Sequence, residues 1–438
     1  MGRLTRRGKW TIGLGVAFVG VMLIGIIGLA LLFEMRVTRS AWINYSKRIA
    51  AETAAFFVRF YDPFAAQYKH AVLGPENGAT QRGGIWLWDQ EEIGGFFKTN
   101  PASAKEIGSL SVANTRITRG RFPFHYQPAN NERLLRLRKQ HRLDEVVGPG
   151  QDEFAKMVLL RDWLHQRWQY GAAKNVDFNF NALDILERAQ TGEVFFCSEY
   201  ATTIVQAAAS LGWTGRYIGI EGHVTAEIWS NQWKKWVVMD PSFNVHLEFS
   251  GIPQNALELR SLWLAGKGPE VRAVLGPSGV TNGTSNVNPH NLIKKFDQIY
   301  VRMRNDWFSN PLPHWHPLSN SIMNGVEWVD GKSPDSILIS RETSDPRDLY
   351  WELNTVDIGV QIDKENSGRI LVGFDTITPN FSHFLLKIDG KEQQWKASTF
   401  TWRLRPGKNR LEVVPVNAFG VSGSVSHMSV DYQKGSQG

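Results

Sequence analysis

At 438 residues, the chain is too long for one ordinary hydrophobic core and suits two or three domains. Hydrophobic residues make up 42% of the chain and charged residues 21%, a balance that excludes wholesale disorder. The formal net charge is +7, but a basic cluster at the N-terminus (Arg3, Arg6, Arg7 and Lys9) supplies 4 of it, so a nucleic-acid partner is poorly supported.

The first predicted element is an apolar segment. Trp10 to Phe33 carries no charge over 24 residues, and at about 1.5 Å per residue a helix of that length crosses a hydrocarbon core of about 30 Å. Because the segment lacks a small-residue cleavage site, we expect an uncleaved signal-anchor in residues 1–33. The basic cluster before it predicts a cytoplasmic N-terminus, with a single-pass topology and periplasmic main domains.

Residues 34–150 are interpreted as a helical stalk and N-terminal region. Small and apolar residues recur at helical spacing from Ser40 to Tyr61, and Asp62-Pro63 would end that helix. A second, basic helix is predicted over Asn131 to Arg142. The intervening Gly74 to Phe97 shows no clear periodicity and receives no assignment.

Residues 151–330 hold the most informative segment. An amphipathic helix is predicted over Phe154 to Tyr170, and another over Ser198 to Leu211, with Gly212 as its C-terminal cap. Cys197 precedes the second helix and is the chain's one cysteine, so no intramolecular disulfide can form. A helix N-terminus favours the thiolate and raises its nucleophilicity. The alternative is a buried structural thiol.

Two predicted strands follow, Gly222 to Trp229 and Trp236 to Asp240. If they pair as a hairpin centred between Asn231 and Gln232, residues whose numbers sum to 463 lie opposite each other, and His223 faces Asp240. The carboxylate could then orient the imidazole, whose other nitrogen takes the cysteine proton. The alternatives are a strand histidine bonded to a backbone carbonyl and an aspartate that forms a turn before Pro241.

These residues resemble the transglutaminase-like superfamily, with its papain-like Cys-His-Asp core. The resemblance covers roughly Phe154 to Leu259 and rests on an ordered set of motifs: Cys197 with Tyr200-Ala201, Gly212-Trp-Thr-Gly-Arg-Tyr217, Gly222-His223, Glu227-Ile-Trp229, Trp236 and Asp240-Pro-Ser. It implies an α+β core without a cofactor, a cysteine peptidase, amidase or acyltransferase acting on amide bonds, and Cys197, His223 and Asp240 as its catalytic residues.

The chain departs from this family in two ways. Family members often have a glycine two residues before the cysteine, where Phe195 and Phe196 precede Cys197 here. A second oxyanion donor, beyond the backbone N–H of Cys197, has no clear match, and Gln190 is the candidate.

A metal motif at His314-Trp-His316 is interpreted as a surface loop, because it lies between two prolines with no third ligand at a recognisable spacing.

Residues 331–438 change to a pattern of short strands, which predicts a β-sandwich. The predicted strands are Ile337 to Ile339, Val356 to Ile362, Ile370 to Phe374, Phe384 to Ile388, Phe400 to Leu404, Leu411 to Val416 and Val425 to Val430. The segment from Arg405 to Gly420 resembles the late strands of immunoglobulin-like and fibronectin type III modules, which implies an accessory domain.

Two hypotheses of function follow. The first is a membrane-anchored cysteine hydrolase or acyltransferase that acts through a Cys197 thioester on amide bonds of envelope peptides or proteins, the substrate class being inferred from location. The second is a non-catalytic binding or assembly protein of the same fold, serving a surface polysaccharide system with its 17 tryptophans and its β-sandwich. Access to Cys197 from a cleft, with His223 in reach, distinguishes them.

Overall fold

A computed structural model describes residues 86–114, 117–173, 180–280, 289–311, 325–332, 341–362 and 368–433. The predicted anchor at Trp10 to Phe33, the predicted stalk helix at Ser40 to Tyr61 and His314-Trp-His316 lie outside these ranges. Within them, no helix combines the length and apolar character needed to cross a membrane.

The helices are short, and several begin at a side chain that caps them. Asp152, Asn181 and Asn255 each accept a hydrogen bond from a backbone N–H of the first turn that follows. The helices are α1 (Gln90–Thr99), α2 (Pro101–Glu106), α3 (Glu132–Gln140), α4 (Leu143–Val147), α5 (Glu153–His165), α6 (Ala182–Gln190), α7 (Cys197–Ser210), α8 (Ala256–Leu264) and α9 (Pro289–Ile293), with 3-10 turns at Gly268–Glu270, Lys294–Asp297 and Pro346–Asp348.

Within the described ranges, the strands fall into four sheets. They are β1 (Ile107–Ala113), β2 (Gly215–Ile220), β3 (His223–Ser230), β4 (Lys235–Met239), β5 (Val245–Phe249), β6 (Ile252–Pro253), β7 (Arg272–Leu275), β8 (Ile299–Arg302), β9 (Gly325–Trp328), β10 (Arg341–Thr343), β11 (Thr355–Ile362), β12 (Arg369–Ile377), β13 (Phe381–Ile388), β14 (Lys391–Trp395), β15 (Thr399–Arg403), β16 (Gly407–Asn417) and β17 (Ser426–Tyr432).

A six-stranded sheet of order β10-β9-β8-β2-β3-β4 organises the central part of the chain. Helix α7 packs against β2 and β3 and is surrounded by α3, α5 and α6. Almost every residue of α7 after Cys197 is buried, because small side chains such as Ala201 and Ala208 let the neighbouring elements approach closely. The nucleophile candidate therefore begins a helix that cannot shift without disturbing a whole hydrophobic core.

A second core includes other residues of β2, β3 and β4, together with α8 and the aromatic segment around Trp351. Trp236 lies in this core and donates its indole N–H to the carbonyl of Trp351 at 2.9 Å. Strand β5 pairs with β6 and β7 in a separate small sheet. This sheet positions the segment that directly follows Asp240.

The C-terminal region is a sandwich of two antiparallel sheets, of orders β1-β17-β16-β13-β14 and β11-β12-β15, which share one core. Two glycines of the sandwich let tryptophan rings from earlier in the chain pack closely against the backbone. A Cβ at Gly359 would lie 2.7 Å from the Trp88 ring, and one at Gly373 would lie 2.5 Å from the Trp86 ring. This two-sheet arrangement agrees with the resemblance to immunoglobulin-like modules.

One strand of the sandwich comes from the region that was expected to be a helical stalk. Strand β1 pairs along its length with β17, with Leu110 opposite Val430. The sequence carries no clear signal for β1, because its partner lies more than 300 residues away and its burial pattern alternates only in part. The α+β core and the β-rich C-terminal region agree with the predicted fold class.

Candidate active site

Cys197 is the first residue of α7 and is half-buried. Phe196 precedes the helix with extended backbone angles and gives no side-chain cap. In the first turn, the Glu199 carboxylate accepts from the Ser198 hydroxyl at 2.7 Å. The sulfur therefore lies beside the positive end of a long buried helix, where a thiolate is stabilised.

His223 begins β3, and Asp240 directly follows β4. The imidazole Nε2 and the carboxylate Oδ2 are 2.7 Å apart, and both side chains are buried. The other ring nitrogen, Nδ1, is left for Cys197, whose pKa is lowered by hydrogen bonding with His223 and by its charge. The structure thus brings the three predicted residues together.

The predicted register of the β3–β4 hairpin is wrong by two residues. Ala226 lies opposite Met239, so Asp240 is a diagonal and not a direct neighbour of His223. Ser230 and Lys235 are joined by a four-residue loop, so the centre of the hairpin lies one residue further along the chain than predicted. The loop ends at Lys234, which adopts a left-handed conformation with φ 51°. A two-residue shift preserves the face of a strand, so the contact survives.

Asp240 is both a turn residue and a partner of His223. Its Oδ1 accepts from the Ser242 hydroxyl at 2.9 Å and from the Phe243 backbone N–H at 3.0 Å. Its backbone exchanges two hydrogen bonds with Val245. Because the turn occupies Oδ1, only Oδ2 remains for the imidazole, and its direction is fixed.

The electrostatics favour an ion pair between the thiol and the imidazole. Burial raises the pKa of Cys197, but hydrogen bonds from His223, the Val224 N–H and Tyr170, with the charge of His223, lower it below the ordinary value. Burial lowers the pKa of His223, but the charge of Asp240 and hydrogen bonds to Asp240 and Cys197 raise it to about 9. Burial likewise opposes ionisation of Asp240, yet His223 and the turn donors lower its pKa.

Tyr170 is a site residue that the sequence motifs did not indicate. Hydrogen bonding by its hydroxyl is among the causes that lower the pKa of Cys197. Burial and the negative charge of Cys197 raise the pKa of Tyr170, so the phenol stays protonated. The Tyr170 O–H thus joins the Cys197 backbone N–H as a candidate donor beside the sulfur.

The predicted helix over Phe154 to Tyr170 ends at His165, which frees Tyr170 for this role. Tyr170 forms an isolated bridge with Phe195, and the Gly171 N–H donates to the Phe195 carbonyl at 3.0 Å. Gln190, the sequence candidate for the second donor, is the exposed last residue of α6. An aromatic residue followed by glycine after the helix was the only local signal of Tyr170.

A buried polar network supports the turn that carries Asp240. Arg161 of α5 donates to Asn244 Oδ1 at 3.1 Å and bonds His246 Nδ1 at 2.8 Å. Asn244 also donates to Asp162 at 2.7 Å, so its side chain is held between two neighbouring residues of α5. Burial lowers the pKa of Arg161 to about 9 against the charges of Asp240 and Asp162, so the guanidinium remains a cation at neutral pH.

This network fixes the state of His246. Because a guanidinium can only donate, His246 Nδ1 must accept from Arg161, and Nε2 then carries the proton shared with Glu248 at 3.0 Å. Burial and the charge of Arg161 lower the pKa of His246 to about 4, although Glu248 opposes the shift. His246 is therefore neutral at physiological pH.

Comparison with protein-family models matches residues 140–241 to the transglutaminase-like superfamily. Comparisons with curated proteins and with solved structures gave no match. The matched range runs from the end of α3 to the residue after Asp240 and contains Cys197 and His223. Residues 140–241 therefore form a transglutaminase-like core, as the resemblance of these motifs implies.

Proposed function

We propose that Cys197, His223 and Asp240 form the catalytic centre of a cysteine hydrolase or acyltransferase acting on amide bonds. The observation that carries the proposal is the 2.7 Å contact between His223 and the buried Asp240, together with a half-buried thiol whose pKa His223 lowers. A lone structural cysteine would need neither an oriented imidazole nor a lowered pKa.

In the first half-reaction, the Cys197 thiolate attacks the carbonyl carbon of the amide and forms a C–S bond. The carbonyl electrons move to oxygen, where the Cys197 N–H and the Tyr170 O–H stabilise the negative charge. The His223 imidazolium gives its proton to the amide nitrogen as the C–N bond breaks. The amine leaves, and the acyl group remains as a thioester on Cys197.

In the second half-reaction, water or an amine attacks the thioester, and neutral His223 accepts the proton that the nucleophile loses. The C–S bond breaks and the thiolate is restored, so the His223 imidazolium and the thiolate form an ion pair again. Asp240 stays ionised throughout and holds the imidazole with Nδ1 facing the sulfur. Water gives hydrolysis, and an amine gives acyl transfer.

The proposed substrates are peptides or proteins of the cell envelope. The support is the charge-free segment from Trp10 to Phe33 and the basic cluster before it, which together favour an anchor with the catalytic core outside the cytoplasm. A reporter fused after Gly438 tests this location. Activity of an extracytoplasmic reporter is expected, and activity of a cytoplasmic reporter would contradict the proposed location.

Alkylation of Cys197 by iodoacetamide at pH 6 tests the catalytic proposal. The full-length protein in detergent should react far faster than a free thiol with a pKa of about 8.5, which is scarcely ionised at this pH. His223→Ala should slow the reaction sharply, because it removes the cationic partner and the proton acceptor. The chain has one cysteine, so the signal has one source.

Native protein that resists alkylation and reacts only after denaturation would refute the catalytic proposal. The binding and assembly hypothesis would then be favoured, since Phe195 stands two residues before the nucleophile, where members of this superfamily often have a glycine. If alkylation is rapid, mass spectrometry of the protein after incubation with envelope peptides should reveal an acyl group on Cys197. Adding a primary amine then distinguishes transfer from hydrolysis.

A further inference from the structure

Phe196, the residue directly before the nucleophile, exposes 46% of its surface. The other large exposed hydrophobic side chains among the described residues are aliphatic and lie elsewhere along the chain: Leu135, Ile252, Leu264, Leu275, Val280 and Val425. A phenylalanine ring presents far more apolar surface than its position at a helix start requires. Its exposure beside a reactive thiol therefore needs an explanation.

The ring of Phe196 is held in place by other rings of the site. It packs edge-on against Tyr170, with centroids 5.4 Å apart and an angle of 65°. Tyr170 lies parallel to Phe243 at 6.4 Å, and Phe243 contacts the His223 imidazole at 4.8 Å. These contacts make a row of rings from Phe196 to His223 that passes Cys197, which we call the aromatic rim.

Charged side chains near Phe196 already have partners. The Glu199 carboxylate accepts from the Ser198 hydroxyl at 2.7 Å. The Arg188 guanidinium donates to Glu193 at 2.7 Å and lies 5.1 Å above the ring of Phe195. Among the described residues, the rim next to Phe196 thus offers apolar ring surface to a ligand.

We propose that Phe196 and Tyr170 form a subsite for an apolar side chain on the acyl residue whose carbonyl reacts with Cys197. The inference rests on the proposed function and names its substrate class: amides of residues such as leucine or phenylalanine. An apolar side chain placed there removes its own surface and that of Phe196 from water. A carboxylate or ammonium group would lose hydration without gaining a partner.

The test uses N-acetyl chloromethyl ketones of phenylalanine, leucine, glutamate and lysine with the full-length protein in detergent. Each forms a C–S bond to Cys197 and releases chloride, and each rate is divided by the iodoacetamide rate of the same variant. We expect the phenylalanine and leucine probes to react at least about 10-fold faster than the glutamate and lysine probes. Phe196→Ser should reduce this ratio toward one, and Phe196→Leu should keep most of it.

Leu135→Ser provides the matched control, because Leu135 is 51% exposed on α3 and the change in polarity is the same. It should leave the ratio unaltered. Rapid iodoacetamide labelling with equal probe rates, or a ratio that Phe196→Ser does not change, would overturn the subsite while the proposed function stands. If added oligosaccharides slowed all four probes equally, the rim would bind sugars instead. Absence of labelling in the native protein would refute both proposals.

Discussion

Two groups of buried charged side chains share strand β3 and differ in their access to solvent. His223, at the start of the strand, connects Asp240 to the half-buried Cys197 beside exposed Phe196. Glu227, further along the same strand, forms an ion pair with Arg216 of β2, and both side chains are fully enclosed.

The Arg216–Glu227 pair has no reactive group to offer. The Arg216 guanidinium lies 4.0 Å above the ring of Trp236, and the second carboxylate oxygen of Glu227 accepts the Ala256 N–H at the start of α8, at 2.7 Å. Burial and ion pairing therefore do not identify a catalytic site by themselves. What distinguishes the first group is a nucleophile that a substrate can approach.

Asp240→Asn should cause the largest loss of activity. It should leave the buried Arg216–Glu227 ion pair undisturbed. Turnover of N-acetyl-phenylalanine p-nitroanilide should fall by about 10⁴-fold, since an amide cannot hold the imidazolium in the required orientation. Release of p-nitroaniline measures it. Asp375→Asn, which breaks a surface ion pair with Arg119, is the control and should change little. Equal losses in both variants would mean that Asp240 has only a structural role.

Glu227→Gln should instead destabilise the fold by about 3–5 kcal/mol, because it leaves the Arg216 cation buried without its counter-charge. Urea denaturation measures the change. The double variant Arg216→Met, Glu227→Leu should regain much of the stability, since it removes both charges. The folded fraction should keep its iodoacetamide rate at pH 6. A stable Glu227→Gln protein with slow alkylation would place Glu227 in the reactive group.

Tyr170→Phe should reduce anilide turnover by about 10²–10³-fold, the usual effect of losing one oxyanion donor. Alkylation by iodoacetamide develops no oxyanion, so its rate should fall much less. Tyr200→Phe is the matched control, because the Tyr200 hydroxyl donates to the buried Trp168 carbonyl at 2.7 Å. That change should cost about 1 kcal/mol of stability and leave turnover nearly intact. Parallel losses in alkylation and turnover for Tyr170→Phe would contradict the donor role.

The smallest effect concerns the support behind Asp240. His246 has a pKa of about 4 in the fold and about 6.5 when unfolded. Between these values the unfolded chain binds a proton that the folded chain rejects, so this group lowers stability as the pH falls through that window. His246→Gln should reduce the pH slope of the unfolding free energy by up to about 1.4 kcal/mol per pH unit. An unchanged slope in the His246→Gln protein would refute the assignment.

The predicted elements show where local information was sufficient. The helix after Cys197 was readable because apolar residues recur at helical spacing and Gly212, with φ +87°, ends it. The strands containing His223 and the segment before Asp240 alternate clearly. A register error of two residues did not separate His223 from Asp240, since strand periodicity is two.

The residues alone thus determined the transglutaminase-like core, the order of Cys197, His223 and Asp240, and the β-rich C-terminal region. Tertiary structure decided what depends on distant partners. Strand β1 exists because β17 offers it hydrogen bonds across the chain, and Tyr170 reaches Cys197 because Phe195 pairs with it. Such contacts form when long loops close. Neither the entropic cost of closure nor the identity of the distant partner appears as a periodic pattern in the sequence.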